Sequence, residues 1–317
     1  MTPDRTVQNL GQGQIKRREL FEVFAANLQL YCPDVRDTFV CPLCKRPFPR
    51  ELIDDYLSLA HIVPKRLGGT DCVLTCKDCN NQTGTRFESE VVKEERFANL
   101  LSGTGRTNVS LEPEGNVIPA IWDRAPGQHH FTVQDGRETA KLALLNQIQE
   151  KGELQIRFRG FNRPNRDRSL LTSALLLAFR QFGYEYILTA AADDVRALLF
   201  DDARTRDRIP AGTIPVGVQT VERSLPKLGF MYLPGDLSCF VALIRSPWSQ
   251  HPIRWVALPG LDDDARGSFR RCMQMDQIGS INGQLRLLRE RGLQSLADPA
   301  YSWTAHRLWR NRGAAHP

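Results

Sequence analysis

Four cysteines bracket one histidine in the first quarter of the chain. They run as Cys41-Pro-Leu-Cys44, then His61 with Ile-Val-Pro and Gly68-Gly69 behind it, then Cys76-Lys-Asp-Cys79 leading into Asn80-Asn81. Each Cys-x-x-Cys pair can present two thiolates from one tight turn, and 31 residues separate the pairs. Two such knuckles complete a tetrahedral all-sulfur site, the ligand set of structural Zn2+. With Cys41, Cys44, Cys76 and Cys79 all bound, no position stays open for a substrate, so that metal would hold the fold and leave chemistry to other residues. Cys32, Cys72, Cys239 and Cys272 lack paired spacing and are expected as buried thiols.

In this order the residues resemble the HNH endonuclease family, in its variety with a four-cysteine zinc knuckle; the likeness covers about residues 41–90. The resemblance implies a ββα-metal fold that hydrolyses DNA phosphodiester bonds and leaves 5′-phosphate and 3′-hydroxyl ends. His61 stands at the family's catalytic histidine and would act as general base. Asn80 stands at its final asparagine, which binds a catalytic Mg2+ or Mn2+, with Asn81 beside it. Asp71 falls where the middle asparagine lies, and a hydrogen bond from there would fix the His61 tautomer. Lys65 and Arg66 adjoin His61 and are the expected phosphate contacts of a nucleic-acid partner, double-stranded DNA. Each residue also has a plainer use: Asn80 and Asn81 can cap a helix, and Asp71 can belong to a turn.

One position departs from the family pattern. Ala60 stands where most members carry a carboxylate before the histidine, and hard cations favour carboxylate oxygen. Asn81 or Glu88 can add a ligand, Asp71 can be the carboxylate, or the centre can be inactive. Asn80, Gly84 and Glu88 share one helical face, but two turns rise about 11–12 Å, which argues against one ion held by both ends.

The elements that must position these residues are legible in part. Residues 15–31 place Leu20, Phe21, Phe24, Leu28 and Leu30 at near-helical spacing behind a basic start, predicting an amphipathic helix ahead of the first knuckle. A weak strand over 52–60, a turn at Gly68-Gly69, a strand around Val73–Thr75 and a helix from Asn80 to Leu101 give the order a ββα site needs. Residues 102–116 are rich in Gly, Ser, Thr and Pro and read as a linker. Beyond it the pattern predicts a helix end and a strand across 147–161, helices over 169–200 broken at Gly183, an antiparallel meander over 212–258, and a polar helix over 281–291. His129-His130 is expected in a loop. The stretch from Ile156 to Ser169 interleaves Arg157, Arg159, Arg163, Arg166 and Arg168 with Phe158 and Phe161. It reads either as a duplex-tracking loop or as a strand with solvated arginines, the second being favoured.

The expected architecture is therefore α+β: 1–101 as helical lead-in and nuclease module, 102–116 as linker, and 117–317 as a larger α+β domain for target choice, assembly or sensing. Composition fits a globular chain, with 41% apolar and 25% charged residues among 317 and a mean hydropathy of −0.36. No apolar run reaches the roughly 20 residues of a membrane helix, and the first 20 residues carry no apolar core of a secretory signal. A cytoplasmic protein is expected, where eight cysteines serve as ligands and core residues and not as disulfides. Net charge is +6. Residues 1–110 hold 15 Lys+Arg against 14 Asp+Glu and the remainder 27 against 22, so the basic excess lies outside the metal module. The resemblance places such modules in bacterial restriction, anti-phage defence or mobile elements, alone, as a homo-oligomer or with a partner protein. Two other classes stay open: a zinc-containing nucleic-acid-binding protein without activity, which Ala60 favours, and a ligand sensor whose output is the nuclease.

Overall fold

The computed structural model describes residues 11–113, 116–134, 138–152, 154–158, 160–201, 209, 211–214, 226–232, 238–245, 253–274, 284–290 and 292–310. It is a mixed α+β structure. Helix α1 (Gln12–Gln29) turns Phe21, Phe24 and Leu28 inward at steps of three and four, and all three are buried. Strands β1 (Thr38–Val40) and β2 (Pro47–Pro49) form an antiparallel hairpin with the Cys41–Cys44 knuckle at its tip. The strand expected over 52–60 starts late. Asp54 and Asp55 lie in a short helix, α2 (Ile53–Tyr56), where the Asp54 carboxylate pairs with Arg17 and Arg18 of α1. Only Leu57–His61 pairs as a strand, β3, antiparallel to β4 (Cys72–Cys76).

The helix expected from Asn80 begins earlier and is not uniform. Helix α3 (Lys77–Thr83) gives way to a π-turn over Gly84–Glu88, and α4 (Ser89–Leu101) continues it. Within the expected linker, β5 (Gly105–Leu111) occupies seven of the residues 102–116. Val109 and Leu111 are buried between exposed or partly exposed neighbours, and this two-residue alternation outweighs the turn-forming composition. Gly103 and Gly105, with φ of +96° and +112°, mark only the turn that leads in.

Strand β5 joins β6 (Ile118–Ala125), β7 (Gln128–Val133) and β8 (Ile156–Phe158) in an antiparallel sheet of order β7-β6-β5-β8, with α5 (Glu138–Lys151) between β7 and β8 in sequence. His129 and His130 therefore lie in a strand, not a loop; the Trp122 indole N–H donates to His129 Nδ1 at 3.2 Å. This sheet has its own small core of Val109, Leu111, Ile118, Ala120 and Leu144.

Helix α6 (Arg163–Phe182) starts at an Asn162 cap, whose side-chain oxygen accepts the Asn165 N–H at 3.0 Å, and stops at Gly183 with φ +60°. Helices α7 (Tyr184–Ile187) and α8 (Ala190–Phe200) follow. Strands β9 (Ala211–Ile214), β10 (Lys227–Tyr232), β11 (Cys239–Ile244) and β12 (Ile253–Leu258) follow, then α9 (Asp263–Gln274). Of these, β10, β11 and β12 form the expected meander, while β9 pairs with β12 and not with β10. Within 281–291, where a helix was expected, β13 (Gln284–Leu287) adds to the edge at β10, in the order β13-β10-β11-β12-β9. Residues 281–283 lie outside the described set. Every residue of β11 is buried, which is why CFVALI reads as an unbroken apolar run. A last helix, α10 (Thr304–Arg310), ends the described chain. No described helix is long and apolar enough to cross a membrane.

One buried cluster runs from α1 and the β3–β4 pair through α6, α7 and α8 to β11 and β12. Phe24 of α1 stacks on Phe179 of α6 with centroids 4.1 Å apart, and Phe39 of β1 meets both rings edge-on. The segment around the cysteines thus shares its core with residues beyond 160, and no boundary at 102–116 separates them.

Candidate active site and metal cluster

The β3–β4 ladder places Cys76 and His61 at its opposite ends. Leu57 faces Cys76 at one end and His61 faces Cys72 at the other. Helix α3 follows Cys76 directly and packs on both strands, so His61 and Asn80 belong to one ββα unit.

At the first end, the Sγ atoms of Cys41, Cys44, Cys76 and Cys79 all lie within 4.8 Å of one another. Cys44 Sγ is 3.8 Å from Cys76 Sγ. A tetrahedron with Zn–S bonds of about 2.3 Å has an edge of about 3.8 Å, so the quartet fits a tetrahedral ion. Its surroundings suit sulfur that carries negative charge. The Cys76 N–H donates to Cys41 Sγ at 3.4 Å and the Cys79 N–H to Cys76 Sγ at 3.5 Å. Arg46 donates to Cys44 Sγ at 3.4 Å and to Cys76 Sγ at 3.5 Å, and is itself held by Asp78 at 2.7 Å. Hydrogen bonds from Cys41, Cys76 and Cys79, with a smaller contribution from Arg46, hold the Cys44 thiol well below its ordinary value. Burial pushes Cys41 the other way. No sequence motif points to Arg46; its proximity to Cys76, 30 positions along the chain, depends on the folded path between them.

The first knuckle is also anchored from far along the chain. Buried Arg196 of α8 donates to the Pro42 carbonyl at 2.9 Å, to the Ile187 carbonyl at 2.7 Å and to Asp193 at 2.7 Å. The Tyr184 hydroxyl meets both the N–H and the carbonyl of Val40 at 2.7 Å. Cys32 is only partly buried, Cys72 and Cys239 are buried as expected, and the side chain of Cys272 lies outside the described ones.

At the second end, His61 is partly buried on the last residue of β3. Burial, with the positive charges of Lys65 and Lys16 nearby, lowers its pKa from the ordinary histidine value. Lys16 on α1 is a neighbour no local motif announces. The His61 ring makes no hydrogen bond to another described residue. The Asp71 carboxylate does not orient it; it lies 4.0 Å from the Arg180 guanidinium. The Asp71 backbone does the fixing, its carbonyl accepting the Ile62 N–H at 2.9 Å and so holding the strand just past His61. Gly68, at φ +86°, closes the following turn, and Gly69 lies so close to Val63 that a Cβ there would meet its carbonyl oxygen at 1.8 Å.

Asn80 is partly exposed and Asn81 exposed, and the side-chain amides of both are free of hydrogen bonds among the described residues. Neither caps α3; Cys76 stands at the cap. Ala60 is buried at 3% exposure, turned into the core. Among the described residues the cysteine quartet is the one group of three or more His, Cys, Asp or Glu side chains close enough to share an ion, so no carboxylate cluster surrounds His61. Lys65 and Arg66 line an open groove of about 730 Å³ with Gly84, Thr85, Glu88, Ser89 and Val92; His61 is not part of its lining.

Residues 41–95 match the HNH endonuclease family model. The match spans the knuckles, the β3–β4 ladder, α3 and the π-turn, so its ends fall on the ββα unit and its approach. No curated protein and no solved structure matches the chain. The HNH segment marks nuclease-type chemistry on nucleic acid, with metal in support.

The arginine-rich stretch lies elsewhere. Arg157 pairs with Glu112 at 2.8 Å, Arg166 with Glu94 at 2.6 Å, and Arg168 is buried against the Leu198 carbonyl at 3.0 Å. Phe158 packs on Phe97 and Trp122. Only Ile156–Phe158 forms the expected strand, with Phe158 packed inward. Arg166 and Arg168 lie on α6, where Arg168 is buried and not solvated as expected, and Arg159 lies outside the described residues.

Proposed function

We propose that the chain is a metal-dependent endonuclease that hydrolyses phosphodiester bonds of DNA, with His61 as general base. The observation that carries this is a histidine with a lowered pKa and a ring free of partners, on the ladder that ends in the thiol quartet. A base must be unprotonated to work, and a depressed pKa keeps the imidazole neutral near pH 7. The free ring then accepts a proton from a water aimed at phosphorus. Lys65 and Arg66 hold the substrate phosphate in the groove.

Cys41, Cys44, Cys76 and Cys79 would hold Zn2+, which stabilises the fold there. Asn80, joined by Asn81, would hold Mg2+ or Mn2+. Two free amides and no carboxylate cluster suit a weakly bound ion that retains most of its water. When bound, such an ion supplies positive charge to the phosphate oxygens. Asp71 acts through its backbone, setting the strand exit at His61. Double-stranded DNA in a cytoplasmic defence or mobile-element setting is the reading we adopt for partner and place.

The test is nicking of supercoiled plasmid with Mg2+, Mn2+ or EDTA, with His61→Ala as control. Metal-dependent nicking lost in the variant supports the assignment. Intact plasmid under all metals, with DNA still bound, supports a binding protein in its place, the reading favoured by Ala60.

A further inference from the structure

The groove that Lys65 and Arg66 line contains one residue whose environment the base-and-phosphate assignment leaves unexplained. Glu88 closes the π-turn and lines the groove with Lys65 and Arg66. No hydrogen bond or ion pair joins it to another described residue. Burial raises its pKa, and the charge of Arg66 only partly opposes this. Glu88 is partly buried, and an unpaired carboxyl so placed is disfavoured in its charged form unless it is protonated or finds a partner on binding. A cation is a poor partner, since two basic side chains face the same space and no second carboxylate accompanies Glu88. An anion suits the groove better. A phosphate seated on Lys65 and Arg66 would repel an ionised Glu88, so the carboxyl carries a proton when substrate is present.

We propose that Glu88 is the proton donor to the leaving 3′ oxygen in the cleavage that His61 initiates, an inference that rests on the nuclease reading above. A water oxygen attacks phosphorus as His61 takes one of its protons. The bond from phosphorus to the 3′ oxygen breaks with its electron pair left on oxygen, and Glu88 supplies the proton that makes the 3′ hydroxyl. Both side chains return to their starting states by proton exchange with solvent. The pair is bridged by neighbours in sequence: Lys65 is felt by His61 and Arg66 by Glu88. Two groups whose surroundings drive their proton affinities apart are the mark of an acid–base couple. A π-turn is the local device that alters the register of α3 and α4 at Glu88; straight α-helical steps from Asn80 ignore it.

The test uses a DNA duplex carrying, at a position the wild-type protein cuts, either the ordinary linkage or a 3′-bridging sulfur, assayed in Mn2+. Thiolate leaves without protonation. Glu88→Gln should lose about 100-fold or more on the oxygen substrate yet stay within a few-fold of wild type on the sulfur one, while His61→Ala fails on both. Thermal melting of Glu88→Gln at or above the wild-type temperature shows that the fold is intact. Equal loss on both substrates, or no loss on either, overturns the assignment of Glu88 and leaves the nuclease reading standing. A wild-type protein that cuts neither substrate in any metal overturns both.

Discussion

The two ends of the five-residue β3–β4 ladder sit four positions apart on each strand and are opposites in chemistry. At the Cys76 end every sulfur has a partner: another sulfur, a backbone N–H or Arg46. The His61 imidazole at the other end, and the Asn80, Asn81 and Glu88 side chains of the following helical run, are all without hydrogen bonds among the described residues. Polar groups that are satisfied internally rigidify a fold, whereas partly buried groups left unsatisfied are positioned for a ligand. The difference separates the internally satisfied half of the HNH segment from the half proposed to meet substrate.

The comparison breaks most visibly at the cysteines. Replacing Cys41 or Cys79 with Ser should unfold the segment, since structural zinc contributes on the order of 10 kcal/mol to small folds. Because the core is continuous with α6, the loss should spread beyond residue 101; zinc content and thermal melting read it. His61→Ala should leave melting and DNA binding unchanged while lowering the cleavage rate by about 100-fold to 10,000-fold. If that variant instead loses zinc or melts early, the two ends are not functionally distinct. Arg196→Ala tests the long-range anchor. It leaves the Pro42 and Ile187 carbonyls without their donor, and about 2–4 kcal/mol of stability should be lost together with weaker metal retention.

The pH profile sharpens the second end. The lowered His61 pKa means the active neutral form dominates above it, so cleavage should hold through neutral pH and fall as pH drops through a value below 6.5. A midpoint above 6.5 would contradict the role of burial and of Lys65. Smallest of all, Lys65→Ala or Arg66→Ala should weaken DNA binding a few-fold and reduce the salt slope by about 1 each.

Several elements were legible because one local period dominates them. Phe21, Phe24 and Leu28 predict α1, and the broken apolar run at Gly183 predicts the turn between α6 and α7. Others failed where tertiary pairing overrode composition. The Gly- and Thr-rich segment after Leu101 became β5 because Val109 and Leu111 found β6 and β8 beside them. Leu285 and Leu287 became a strand because β10 offered an open edge. Asp71 matched a motif position by spacing alone, yet its half-exposed carboxylate lies 4.0 Å from Arg180, distant in sequence, and makes no hydrogen bond to His61.

The amino-acid order alone determined the metal quartet and the identity of the histidine, because Cys-x-x-Cys knuckles and a strand–turn–strand unit are set by nearest neighbours along the chain. Only the tertiary structure decided which charges act on His61, what holds the first knuckle in place, and that Glu88 shares a groove with Lys65 and Arg66. Those effects arise from burial and from contacts across long stretches of sequence. Arg196 lies 154 positions from the carbonyl it holds, a pairing that no local spacing encodes.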